Sequence, residues 1–150
     1  CSNSFAAYRK AAFFEAGGFP DGVIMGEDVI IAGKMLLKNW HSAYVAEAQV
    51  YHSHDYTIKE EFKRYFDIGV FHAGHQWIFE KFGRAEGEGL KYLKSELSYL
   101  QKHDATLIPK ALITLFAKLL GYKTGLAHKY LPRRLKGSFS MHSRFWNVRT

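Results

Sequence analysis

The chain has 150 residues, enough for one domain with a modest core, and its 47% hydrophobic and 16% aromatic content excludes a disordered polymer. Its one cysteine, Cys1, excludes an intrachain disulfide framework and a four-cysteine zinc site, and fits a reducing compartment. The formal net charge of +7 is unevenly placed: residues 1–104 carry 12 Lys/Arg and 14 Asp/Glu, whereas residues 105–150 carry 9 Lys/Arg and no acid, which points to an anionic partner for the last third, either a membrane surface or a nucleic acid.

The chain begins without an initiator Met or a signal peptide, and Cys1-Ser2-Asn3-Ser4-Phe5 reads like the interior of a protein, so it is expected to be a segment of a longer polypeptide. Phe5-Ala6-Ala7-Tyr8 is expected as a short buried strand. Arg9 to Ala16 predicts a short helix stopped by Gly17-Gly18, where a left-handed glycine can close the last turn. Pro20-Asp21-Gly22 is a turn signal. Glu27 to Lys38 predicts a helix with Val29, Ile30, Ala32, Gly33, Leu36 and Leu37 as its apolar stripe. Ala43-Tyr44-Val45 and Gln49-Val50-Tyr51-His52 predict two short strands.

From Thr57 the character changes. Thr57 with Glu60 makes a capping box for a long helix over 58–82, with an aromatic stripe from Phe62 through Phe66 and Val70 to Phe79. Residues 83–89 predict a loop, and Leu90 to His103 an amphipathic helix. Pro109 suits the first turn of a further helix, lined by Ile108, Leu112, Leu115 and Leu119 and running to Leu120, where Gly121 and Gly125 break it. Pro132-Arg133-Arg134 opens an irregular basic tail. No stretch reaches the ~18 consecutive apolar residues of a spanning helix. The expected fold class is α+β and mostly helical, with a mixed part over 1–56 and a helical extension over 57–150.

Two groups can carry chemistry. Glu27 and Asp28 stand side by side in the first turn of the expected helix. A base that takes a proton from a hydroxyl group should be a carboxylate fixed by its neighbours and open to a cleft, and Asp28 fits that task. The alternative reading is that the two acids simply stabilise the helix N-terminus. His52 and His54 are two apart, so on a continuing strand both project from one face. They can bind a divalent ion through neutral imidazole, with Asp55 or Glu27 nearby, or form a hydrogen-bonded pair at a strand end. His72 and His75, three apart, read as helix-packing residues. Lys118, Lys123, Lys129, Arg133, Arg134 and Lys136 form either a solvated face or a headgroup contact. There is no glycine-rich phosphate loop and no nucleophile elbow.

Taken together, the motifs resemble a known family. Asn3-Ser4-Phe5-Ala6-Ala7-Tyr8-Arg9-Lys10, Gly17-Gly18-Phe19, Gly26-Glu27-Asp28-Val29 and Ala48-Gln49-Val50-Tyr51-His52-Ser53-His54 are similar in order and spacing to the second half of the catalytic domain of inverting family 2 glycosyltransferases. Within that family they are nearest to the bacterial rhamnosyltransferases of O-antigen and related polysaccharides. The run from Phe62 to His72 and the tail Ser140-Met141-His142 with Trp146 resemble the same subgroup.

The resemblance implies that residues 1–56 are the C-terminal part of a GT-A α/β catalytic domain. It implies transfer of rhamnose from dTDP-rhamnose to a glycan or lipid-linked acceptor, with inversion. Asp28 matches the catalytic base and Glu27 its acidic partner. His52, and less directly His54, match the position that approaches a divalent metal, Mg2+ or Mn2+. The place implied is cytoplasmic and peripheral, on the inner face of the bacterial plasma membrane, held by the basic tail and with no nucleic acid as partner. The chain departs from the family in having no Asp-x-Asp, so the isolated segment is expected to be inactive. The competing expectation is a non-enzymatic basic helical module that binds a membrane surface or nucleic acid.

Overall fold

The structure, a computed structural model, describes residues 3–83 and 87–147, with the side chains of Asn3 and Glu88 left aside. Cys1 and residues 84–86 of the expected loop lie outside the described residues. By its internal contacts the chain divides into two compact units, Cys1–Asp55 and Tyr56–Thr150.

The first unit is a helix pair with long connecting segments. Helix α1 spans Lys10–Glu15 and α2 spans Glu27–Leu37. The glycine stop acts as expected: the Gly17 N–H donates to the Phe14 carbonyl and the Gly18 N–H to the Phe13 carbonyl, with both glycines left-handed (φ +95° and +68°). This is the paired closure of a Schellman motif. Helix α2 ends the same way without glycine. Asn39 takes the left-handed turn (φ +63°), and the Asn39 and Trp40 N–H groups close on the Leu36 and Met35 carbonyls. Asn tolerates that conformation better than other side chains do. Ala12, Ala16, Ile24, Ile30 and Ile31 form the small core.

The expected strands are corrected. Among the described residues there is no strand: Asn3–Phe5 is one 3-10 turn, and residues 43–45 and 49–52 are irregular. A strand needs a neighbour for its N–H and C=O groups and an apolar surface for one face. Here neither is present: Tyr44 is 93% exposed and Tyr51 fully exposed, with Val45 and Val50 also in solvent. The α+β class and the GT-A half-domain are therefore replaced by an all-helical architecture among the described residues.

The second unit is built on α3 (Ile58–Gly74) and α6 (Ile108–Leu126), with α4 (Gln76–Phe82), α5 (Glu88–His103) and α7 (Arg133–Phe139) around them. The capping box forms: the Glu60 N–H donates to Thr57 Oγ1 at 3.3 Å, and the Thr57 N–H to Glu60 Oε2 at 2.8 Å. The single long helix expected over 58–82 breaks at His75 (φ −128°, ψ 47°), whose Nδ1–H donates to the Phe71 carbonyl at 2.9 Å.

Helix α6 does not stop at Leu120 but continues through both glycines. The reason is its partner. A Cβ at Gly121 would lie 2.3 Å from the Phe62 carbonyl oxygen, one at Gly125 2.1 Å from that of Phe66, and one at Gly69 2.3 Å from that of Tyr122. The three glycines let the two backbones touch, the small-xxx-small contact of closely paired helices. Phe66, Val70 and Phe71 are buried on α3, with Phe66 set edge-on to Phe139. The helix Ala105–Leu126 is long and apolar enough to cross a membrane by length and composition, contrary to the expectation that nothing here would be. Its hydropathy tolerates Lys110 and Lys118, which interrupt any uninterrupted apolar run.

Candidate functional site

Glu27 and Asp28 are the first two residues of α2, entered from Gly26 in the left-handed conformation (φ +78°). Both are half-buried. Asp28 Oδ1 accepts the Val29 N–H at 2.9 Å, which uses one carboxylate oxygen on a free N–H of the helix start. Two acids in a first turn complement the positive end of the helix dipole.

A third residue belongs to this place. Burial raises the Tyr8 phenol above its ordinary value, and the charges of Asp28 and then Glu27 raise it further. Tyr8 therefore lies within electrostatic reach of both carboxylates and stays a protonated hydroxyl, able to donate. Its ring meets Phe13 and Phe19 with centroids 5.7 and 5.8 Å apart, and Phe13 meets Phe19 edge-on at 4.9 Å. Sequence reasoning placed Tyr8 in a strand and missed it. Its neighbours are brought in by the turn at Gly17-Gly18, which no local periodicity reveals. Behind this cluster the ends of the two helices are tied together. Trp40 Nε1–H donates to Glu15 Oε2 at 3.2 Å, and Lys38 lies 3.7 Å from Glu15. These exposed links contribute little to stability.

His52 and His54 are brought together, although no strand carries them. Their rings are perpendicular with centroids 4.4 Å apart, and His52 Nε2 lies 3.2 Å from Ser4 Oγ. Both are exposed. Among the described residues no group of three or more His, Cys, Asp or Glu side chains could hold a metal ion. Two imidazoles alone do not fit Mg2+ or Mn2+, which prefer oxygen ligands.

The second unit holds its polar groups for packing. His72 Nδ1 lies 3.1 Å from the Tyr122 hydroxyl across the α3–α6 contact, and burial lowers its pKa. Asp67 is 1% exposed: Oδ2 accepts the Met141 N–H at 2.8 Å, while Oδ1 is buried with no hydrogen-bond partner. Desolvation pushes its carboxyl up, opposed by hydrogen bonding from Ser140 and Met141. Several of the basic residues have partners within the unit. Lys118 pairs with Glu61 at 3.3 Å and sits 5.5 Å from the Tyr65 ring; Lys136 lies 5.4 Å from the Trp146 ring; Arg133 donates to the Trp146 carbonyl. The tail is α7 followed by a 3-10 turn at Ser143–Trp146, not an irregular segment.

No family model matches the chain, and no solved structure matches it. Curated sequences do, and their class is that of the O-antigen chain rhamnosyltransferases. Over 146 residues, 97% of this chain, it is 51% identical to O-antigen chain rhamnosyltransferase RfbN of Salmonella typhimurium. It is 50% identical over the same length to O-antigen chain rhamnosyltransferase WbaN of Salmonella anatum. The chain spans about half the length of these relatives (46% of each). The resemblance to bacterial rhamnosyltransferases is thus borne out across nearly the whole chain.

Proposed function

We propose that this chain is the acceptor-activating segment of an O-antigen rhamnosyltransferase. What supports the reading is the match to rhamnosyltransferases across nearly the whole of this chain, joined to a half-buried carboxylate pair whose charges act on one tyrosine. The donor is dTDP-rhamnose and the acceptor a glycan or a lipid-linked glycan, as in the inverting chemistry of family 2. The acceptor hydroxyl attacks the anomeric carbon from the face opposite the diphosphate. Its oxygen forms the new glycosidic bond as its proton passes to Asp28, while the bond from the anomeric carbon to the diphosphate oxygen breaks and dTDP departs with the electron pair. Glu27 orients the acceptor. A base placed in this way contributes about 10²–10⁴-fold. The chain works at the cytoplasmic face of the inner membrane, which the basic last third contacts. By itself the 150-residue chain, which lacks an Asp-x-Asp, does not turn over dTDP-rhamnose.

The test is a chimera in which this chain replaces the matching region of the Salmonella typhimurium relative. Transfer of labelled rhamnose by the chimera, lost in its Asp28→Asn form at unchanged stability, supports the reading. Transfer that persists in Asp28→Asn removes Asp28 from the chemistry.

A further inference from the structure

Helix α6 has two different faces. One, through Gly121 and Gly125, is taken up by α3. The other carries Leu112, Ile113, Phe116, Leu119 and Leu120, spaced three and four apart, and all five are 45–67% exposed. Only 6% of the apolar window of this helix is buried. An exposed apolar stripe of this kind marks an interaction surface.

We propose that this outward face of α6 docks into an anionic lipid surface, with the helix lying in the plane of the interface. The proposal deepens the membrane contact put forward above: it makes the apolar stripe, and not charge alone, the docking element. Charge decides the occupant. Residues 105–150 contain no acid, and Lys110 and Lys123, both exposed, stand before and after the stripe along the helix. Long cationic stems at the ends of an apolar patch reach up to lipid phosphates while the patch sinks among the acyl chains. A second copy of this chain would bring a like-charged surface against the first. A spanning pose fails on the partner helix. Helix α3 runs against α6 and carries Lys59, Glu60, Glu61, Lys63 and Arg64, charges that hydrocarbon would penalise and that an in-plane pose leaves in water.

The test is flotation of the 150-residue chain on density gradients. The vesicles are phosphatidylcholine alone, or phosphatidylcholine with about a third phosphatidylglycerol to give the negative surface that basic segments seek. Three proteins are compared: wild type, Phe116→Gln/Leu119→Gln, and Lys123→Gln/Lys129→Gln/Arg134→Gln, each checked for native helicity by circular dichroism. The wild type floats with the anionic vesicles and keeps part of its binding at high salt. The apolar double variant loses about tenfold or more in partition coefficient, because two large side chains no longer leave water. The basic variant weakens and loses its salt dependence. A folded chain that ignores anionic vesicles overturns the proposal, and so does an apolar variant that floats like wild type. A lipid-free dimer that the apolar variant dissociates, or binding to nucleic acid alone, overturns it as well. No donor, acceptor or turnover enters the assay, so its failure is separate from failure of the transferase reading.

Discussion

Replacing Gly125 with Ala should break the rule that alanine stabilises a helix. At an unconstrained interior position the exchange gains about 1 kcal/mol of helix propensity. At Gly125 the new Cβ would sit 2.1 Å from the Phe66 carbonyl oxygen, 2.9 Å from its carbonyl carbon and 3.0 Å from the Gly69 Cα, all backbone atoms of a paired helix. Backbone cannot swing aside as a side-chain tip can, so α3 and α6 must separate by an ångström or more along their contact. Overpacking costs about 1–3 kcal/mol where side chains can adjust, and a clash with backbone belongs at the upper end or beyond. Less the propensity gain, a net loss of about 2 kcal/mol remains, or roughly 10 °C in midpoint for a unit of this size. Gly137→Ala is the internal control: it lies within α7 with nothing within 4 Å of the added methyl, and should stabilise by about 0.5–1 kcal/mol. Urea denaturation followed by circular dichroism measures both. A neutral or stabilising Gly125→Ala would refute the close α3–α6 contact.

Further outcomes follow from the buried polar groups and the aromatic cluster. Asp67→Ala strands the Met141 N–H and should cost about 1–3 kcal/mol, while Asp67→Asn, which keeps an acceptor there, should cost less; denaturation midpoints distinguish them. The folded-state pKa of Asp67 is raised, so the native state holds its proton more tightly than the unfolded chain. Stability from this group is highest below the ordinary carboxylate pKa and falls as pH rises through the window above it, a slope that Asp67→Asn should remove. His72 has the opposite sense. Its pKa is lowered by burial, so its contribution is full above about 6.5 and is lost as pH falls below that, and His72→Gln should flatten this arm of the pH profile. In the first unit, Tyr8→Phe keeps the ring contacts with Phe13 and Phe19 and should change stability by less than about 1 kcal/mol, whereas Tyr8→Ala should cost about 3 kcal/mol.

The helices could be read in the chain because their signals are local. Thr57 and Glu60, Gly17-Gly18, Pro109 and the acids at 27 and 28 act within one turn of where they stand. What could not be read depends on partners far away in sequence. Gly121 and Gly125 look like breakers until α3 is set against them, when they become the places where the two backbones touch. The β-prone residues at 44, 45, 50 and 51 read as strands, yet with no neighbour to pair with they stay in solvent. The paired carboxylates were legible from their position at a helix start. Tyr8 was not, because it stands before α1, far in sequence from the two acids whose charges reach it. The imidazole pair at His52 and His54 was legible, though the strand meant to align it is absent and the rings meet through an irregular segment.

The proposed role of Asp28, taking the proton of the acceptor hydroxyl, is tested by kcat for rhamnosyl transfer by the chimera with the Salmonella typhimurium relative, set beside its unfolding midpoint, for Asp28 and Asp28→Asn. With Asp28 as the base, kcat falls about 10²–10⁴-fold in Asp28→Asn with a stability change under about 1 kcal/mol, the scale of a first-turn charge. Unchanged kcat together with a lowered midpoint would contradict it, leaving Asp28 as a helix-start acid and nothing more.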